Sequence, residues 1–267
     1  DAVTLGAATT LTSSGSGNIN LASTVNGAQT LTINTAGTTT FGGIVGGTTA
    51  LTSITTDAAG SLAINGGAIT TTGAQTYNDA VTLGAATTLS ASSITTGSTF
   101  NASTYAATLT TDAIALGGNL SGSGALTIQP KTASTTIGIG SAASGTLSLD
   151  DTELGYLVDG FSSITIGSTA GTGAIAVAYT TPYTFRDPLT IRSNTSGGGA
   201  ISATSALNTG ANSLTITTGG AVSVAAITSG TLAITGTGIT LSGDVTTSGT
   251  QSYTGAVTLG ADVTLAS

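Results

Sequence analysis

The sequence predicts an all-β fold, a parallel β-helix (β-solenoid), on three observations. Its side chains are small and uncharged: 40 of 267 residues are Gly, 39% are hydrophobic, 5% charged and 4% aromatic, against a usual charged share of about 25%. Apolar residues alternate with Thr, Ser or Asn at a period of two, the mark of half-buried strands. The chain also repeats itself. A narrow coil suits Ala, Val, Ile and Leu spaced by Thr, Ser and Gly, whereas sandwiches and barrels fill their cores with bulkier residues. At roughly 18 to 25 residues per turn, the chain would make about 11 to 14 turns.

Taken in order, the first element is the run Asp1-Ala-Val-Thr-Leu-Gly-Ala-Ala-Thr-Thr-Leu11, which recurs unchanged from Asp79 to Leu89. That offset of 78 residues reads as about four turns. A variant copy, Gly255-Ala-Val-Thr-Leu-Gly-Ala-Asp-Val-Thr-Leu265, has the lead-in Gln251-Ser-Tyr-Thr-Gly, matching Gln75-Thr-Tyr-Asn-Asp before the second copy. Distant copies are Tyr183-Thr-Phe-Arg-Asp-Pro-Leu-Thr-Ile191 and, weakly, Thr40-Phe-Gly-Gly-Ile-Val45. In between, Leu31–Thr35, Ala125–Ile128, Ile164–Ile166, Leu214–Thr218 and Leu232–Thr237 alternate as short strands. Steps such as Asn26-Gly27, Gly42-Gly43, Asn65-Gly66 and Gly198-Gly199 supply turns.

One excursion breaks the pattern near 150–160. Asp150-Asp-Thr-Glu-Leu-Gly-Tyr-Leu-Val-Asp-Gly-Phe161 holds four of the eleven acids, Asp150, Asp151, Glu153 and Asp159, beside Leu154, Tyr156, Leu157 and Phe161. Asp150 and Glu153 have capping-box spacing and Gly160 would terminate, so a short helix or compact loop is expected outside the coil, covering its flank.

The chain has no Cys, Met, Trp or His, which excludes thiol nucleophiles, Cys/His zinc sites, imidazole bases and Ser-His-Asp arrangements. Three basic residues, Lys131, Arg186 and Arg192, form no cationic footprint for nucleic acid. No apolar run reaches the roughly 18 residues of a spanning helix, and the scattered Tyr and Phe make no barrel girdle, so membrane insertion is not expected. The net charge of −8 favours solubility.

The acids around 150 fit no calcium-loop spacing and read as a solvated helix face with a capping residue. Asp187, flanked by Arg186 and Arg192, reads as local surface pairing. Phe41, Tyr77, Phe185 and Tyr253 recur just before the repeated strand and read as packing rather than a sugar-stacking row. Thr is abundant but holds no fixed Thr-x-Thr frame per turn, clustering variously at 38–40, 70–72 and 215–218, and β-propensity accounts for it. No catalytic, cofactor-binding or metal-ligating residue is assigned, and no cofactor is expected.

The repeat Gln75-Thr-Tyr-Asn-Asp-Ala-Val-Thr-Leu-Gly-Ala85 and its copies, with the stretch Leu149–Gly167 carrying Asp-Thr-Glu-Leu and Gly-Phe-Ser-Ser-Ile-Thr-Ile-Gly, resemble the filamentous-haemagglutinin-like secreted bacterial β-strand-repeat adhesins of two-partner-secretion exoprotein type. The resemblance implies export, a right-handed β-helix, cell-surface or matrix duty and no catalytic residues; any secretion signal would lie outside this segment. The expectation is that residues 1–267 are a single continuous solenoid segment, a fragment or repeat unit of a longer structural or adhesive fibre. Its expected location is extracellular, at the bacterial cell surface. Its expected partners are itself end to end, as a longer tandem array or head-to-tail filament, and cell-surface glycans. An ice- or glycan-binding β-solenoid module is the alternative.

Overall fold

The computed structural model describes residues Asp1–Ser267. It is all-β, its strands pairing in parallel as a β-solenoid of about 13 turns, with one helix, Asp151–Gly155. The chain divides into two compact units, Asp1–Leu126 with Tyr156–Val158, and Thr127–Gly155 with Asp159–Ser267.

In the first unit the chain visits three sheets in rotation. The first is carried by Val3–Thr4, Val25–Asn26, Ala68–Thr70, Thr87–Ser90 and Ala107–Thr110, with Val45 bridging the second and third of these. The second comprises Thr9–Ser13, Thr30–Thr35, Ser53–Thr56, Ala74–Tyr77, Ser93–Thr96 and Ala113–Leu116. The third comprises Ile19–Leu21, Thr38–Phe41, Ser61–Ile64, Ala80–Leu83, Phe100–Asn101 and Leu120–Ser121.

Alternation along each strand sends every second side chain inward, and parallel register stacks like on like. Val25, Val45, Ile69, Leu89 and Leu109 form one buried column. Leu31, Ile54, Gln75 and Ile94 form another. Burying each Leu or Ile is worth about 1.5–3 kcal/mol, and this inward ladder is what fixes register.

The second unit is built the same way. Ile164, Leu189, Leu214 and Leu232 stack along one stretch of a long sheet, Ile175, Ile201, Val222 and Ile239 along another stretch of it, the two joined through the ten-residue strand Leu232–Leu241, and Leu207, Ile227 and Val245 on a second sheet. Corners are closed by buried Thr hydroxyls. Thr35 donates to the Gly17 carbonyl at 2.7 Å and accepts the Gly37 N–H at 3.0 Å; Thr218 does the same with Gly199 and Gly220 at 2.7 and 2.9 Å.

The identical repeats are not four turns apart. Val3 lies on the first sheet and Leu11 on the second, whereas Val81 lies on the third and Leu89 on the first. The offset is therefore three turns plus two faces. The same eleven residues make strand, corner and strand wherever they fall, so the segment serves different corners equally well. The variant copy begins with Gly255 where the others have Asp. Gly255 has a φ of +137°, and a Cβ there would lie 2.1 Å from the Gly236 carbonyl oxygen, beside a register shift between Thr235 and Gly238. Only Gly fits.

The excursion is shorter than expected. Glu153 N–H donates to Asp150 Oδ1 at 2.8 Å and Asp150 N–H donates to Glu153 Oε2 at 2.9 Å, the reciprocal capping box. The helix ends at Gly155 rather than at Gly160. Tyr156–Val158 lie within the coil rather than outside it: Leu120 N–H donates to the Tyr156 carbonyl at 2.8 Å and Val158 N–H to the Leu120 carbonyl at 3.0 Å. Pairing both backbone groups of Leu120 outweighs a further helical turn. Gly160 instead occupies a turn at φ +133°.

Candidate functional site

The acidic excursion is a clasp. Asp151 Oδ1 accepts the Ser141 N–H at 2.8 Å, and its Oδ2 accepts the N–H groups of Thr180 at 2.9 Å and Thr181 at 3.2 Å together with the Thr180 hydroxyl. The Thr180 hydroxyl above all, with these amides, lowers the Asp151 carboxyl to about 2. Tyr183 OH donates to the Leu154 carbonyl at 2.7 Å, and Tyr179, Tyr183 and Phe185 follow as tilted and edge-on neighbours at 6.1 and 4.9 Å. Both oxygens of Asp151 face N–H and O–H donors, which orients a loop.

Asp187 is not a surface pairing residue. It is 4% exposed and its Oδ1 accepts the Gly160 N–H at 3.0 Å. Burial raises its carboxyl above the ordinary carboxylate range. Arg192 stands in register between Gly167 and Thr217 on a sheet face. A cleft of about 410 Å³ is lined by small uncharged groups including Thr136, Ser144, Thr146, Ala176 and Ser202.

Phe41, Tyr77 and Phe185 are fully buried, as packing residues should be, and Tyr253 is half-buried. The lead-in residues have a further role. Tyr77 OH donates to Gln75 Oε1 at 2.9 Å, and Gln75 Nε2 donates to the Ile69 and Ser90 carbonyls, both at 3.0 Å. The second Gln-x-Tyr repeats this: Tyr253 OH donates to Gln251 Oε1 at 2.8 Å, and Gln251 Nε2 to the Ala266 carbonyl at 2.7 Å. The motif is a polar bracket inside the coil.

The structure also assembles a surface that sequence spacing conceals. Thr10, Thr32, Thr55, Thr76 and Thr95 stand in direct register on five successive rungs of the second sheet, and Ala115 follows. Beside them Thr30 pairs with Ser53, and Ala74 with Ser93 and then Ala113. The six strands carry no charged residue. Rungs lie about 4.8 Å apart, giving a column of hydroxyls and methyls along one face. Because the intervening segments differ in length, no constant frame marks these positions. Aligning the inward residues Leu31, Ile54, Gln75 and Ile94 would have found them.

Comparison with family models, curated proteins and solved structures returned no match for this chain.

Proposed function

We propose that this chain is a structural segment of an extracellular bacterial fibre, a stacked coil that extends, displays its faces and joins end to end with further rungs. The observation that carries this reading is the register of the interior: parallel rungs stack Val25, Val45, Ile69, Leu89 and Leu109 in one buried column, so each turn buries its apolar side chains against like side chains of its neighbours and the coil lengthens by repeating one unit. A parallel rung is completed by another of the same chemistry, whichever copy of the chain supplies it. The Gly-, Thr- and Ser-rich texture shared with filamentous-haemagglutinin-like adhesins supports the same reading, with cell-surface glycans as the adhesive ligands.

Sedimentation velocity and electron microscopy across a concentration series test it. Concentration-dependent linear growth is expected, and a species that stays monomeric at high concentration would refute self-stacking. Glycan-array binding tests the adhesive half.

The Thr column favours a second reading, adsorption to ice through a flat, uncharged, regularly spaced face. Thermal hysteresis and ice shaping, lost in Thr55→Tyr without loss of stability, would support it. Absence of both at high protein concentration would remove it.

A further inference from the structure

We propose that Asp79 is a proton-operated latch: neutral, it lets the corner between Tyr77 and Ala80 close on the core, and ionised, it loosens that corner. The geometry carries the inference. Asp79 is 1% exposed, and neither carboxylate oxygen has a hydrogen-bond partner. Its backbone N–H reaches Thr56 Oγ1 at 3.4 Å, and the neighbouring Asn78 Nδ2 donates to the Thr56 carbonyl at 2.8 Å. These hold the corner's backbone, and the Thr56 hydroxyl stands beside the carboxylate without forming a full hydrogen bond to it. A buried anion so poorly partnered is costly, and protonation removes that cost.

The groups around it are sparse. The rung before presents Thr56 and the carboxylate of Asp57, whose Oδ1 accepts the Thr35 N–H at 3.0 Å. On the following rung Thr96 is in register with Tyr77 and leads into Gly97 and Ser98, none of which titrates; Thr96 Oγ1 is itself buried and unpartnered. On its own strand the Tyr77 phenol is committed to Gln75. No cation faces the carboxyl from these elements, and Asp57 adds repulsion. Asp187, at the matching position of the distant copy, keeps the amides of Gly160 and Phe161 as donors, and Asp79 has no such amide.

Desolvation by burial raises the Asp79 carboxyl from 3.8 to about 6, with the Thr56 hydroxyl opposing and Asp57 adding to the rise. The folded state therefore binds this proton more tightly than the unfolded chain. Its stabilising contribution is full below about pH 4, declines as pH rises toward 6, and is absent above. Acid tightens the coil here.

The test is equilibrium unfolding of the full chain between pH 4 and 8, together with hydrogen exchange at the amides of Ala80–Leu83, corrected for intrinsic rate. The folding equilibrium should favour the native state at least about tenfold more at pH 4 than at pH 7.5 on account of this group. Asp79→Asn should hold the acid-form stability at both pH values and lose that part of the profile. Asp57→Asn should move the transition to lower pH, and that arm stands if the Asp79→Asn variant fails to fold. An Asp79→Asn profile parallel to wild type would overturn the proposal. So would recovery of the acid-form stability at pH 7.5 by added calcium or sodium, which would make the corner a cation site.

Discussion

Replacing Tyr77 with Phe and Gln75 with Leu, singly and together, tests whether the Gln-x-Tyr bracket holds the interior of the coil. Both side chains are fully buried. Tyr77→Phe removes the donor to Gln75 Oε1 and strands that acceptor, which should cost about 1–3 kcal/mol. Gln75→Leu strands the Tyr77 hydroxyl and takes a donor from the Ile69 carbonyl, while Ser90 keeps the Thr71 N–H at 2.8 Å; about 2–5 kcal/mol is expected. The double variant leaves two apolar side chains and should cost less than the sum by about 1 kcal/mol or more, because the stranded partners are gone. In the outer copy Tyr253 is half-buried, so water replaces the lost bond and Tyr253→Phe should cost below about 1 kcal/mol. The assay is guanidinium unfolding. Because repeat arrays can unfold piecewise, it is paired with hydrogen exchange at Thr70, Thr71, Ser90 and Ala91. Wild-type stability in Tyr77→Phe, or full additivity in the double variant, would refute the bracket.

Three further outcomes are expected. Leu154→Ala, at a fully buried position, should cost about 2–5 kcal/mol, and an unchanged thermal midpoint would mean that the helix does not dock. Asp151→Ala should speed chymotryptic cleavage after Tyr183 several-fold by freeing the Ser141, Thr180 and Thr181 amides. Since that carboxyl is lowered to about 2, the wild-type clasp should persist above about pH 4 and release only as pH falls toward 2; a clasp already open at pH 5 would contradict this. Asp187→Asn should be at least as stable as wild type at pH 8, because its raised carboxyl contributes stability only at acid pH and Asn Oδ1 still accepts the Gly160 N–H. A lower unfolding midpoint at pH 8 would show that the charge, and not its burial, dominates there.

Local physics was legible in the residues. The period-two runs such as Leu31–Thr35 became strands, the Asp150/Glu153 spacing became a capping box, and Phe41, Tyr77 and Phe185 before their repeats became core. Each depends on neighbours within a few positions, where dihedral preference and side-chain reach decide the outcome. Where the helix stopped was less legible, because Leu120, more than thirty residues earlier, competes for Tyr156 and Val158.

What the sequence by itself determined is therefore the type of element and the inward or outward sense of its residues. Only the tertiary structure decided register: that Thr10, Thr32, Thr55, Thr76 and Thr95 share one column, that identical eleven-residue segments lie on different faces, that Gln75 meets two distant carbonyls and that Asp79 meets none. Corners absorb insertions at little cost in loop entropy, so spacing along the chain carries no register. Alignment comes from inward Leu, Ile and Val side chains stacking on those of the turn before, and that contact exists only once the coil has closed.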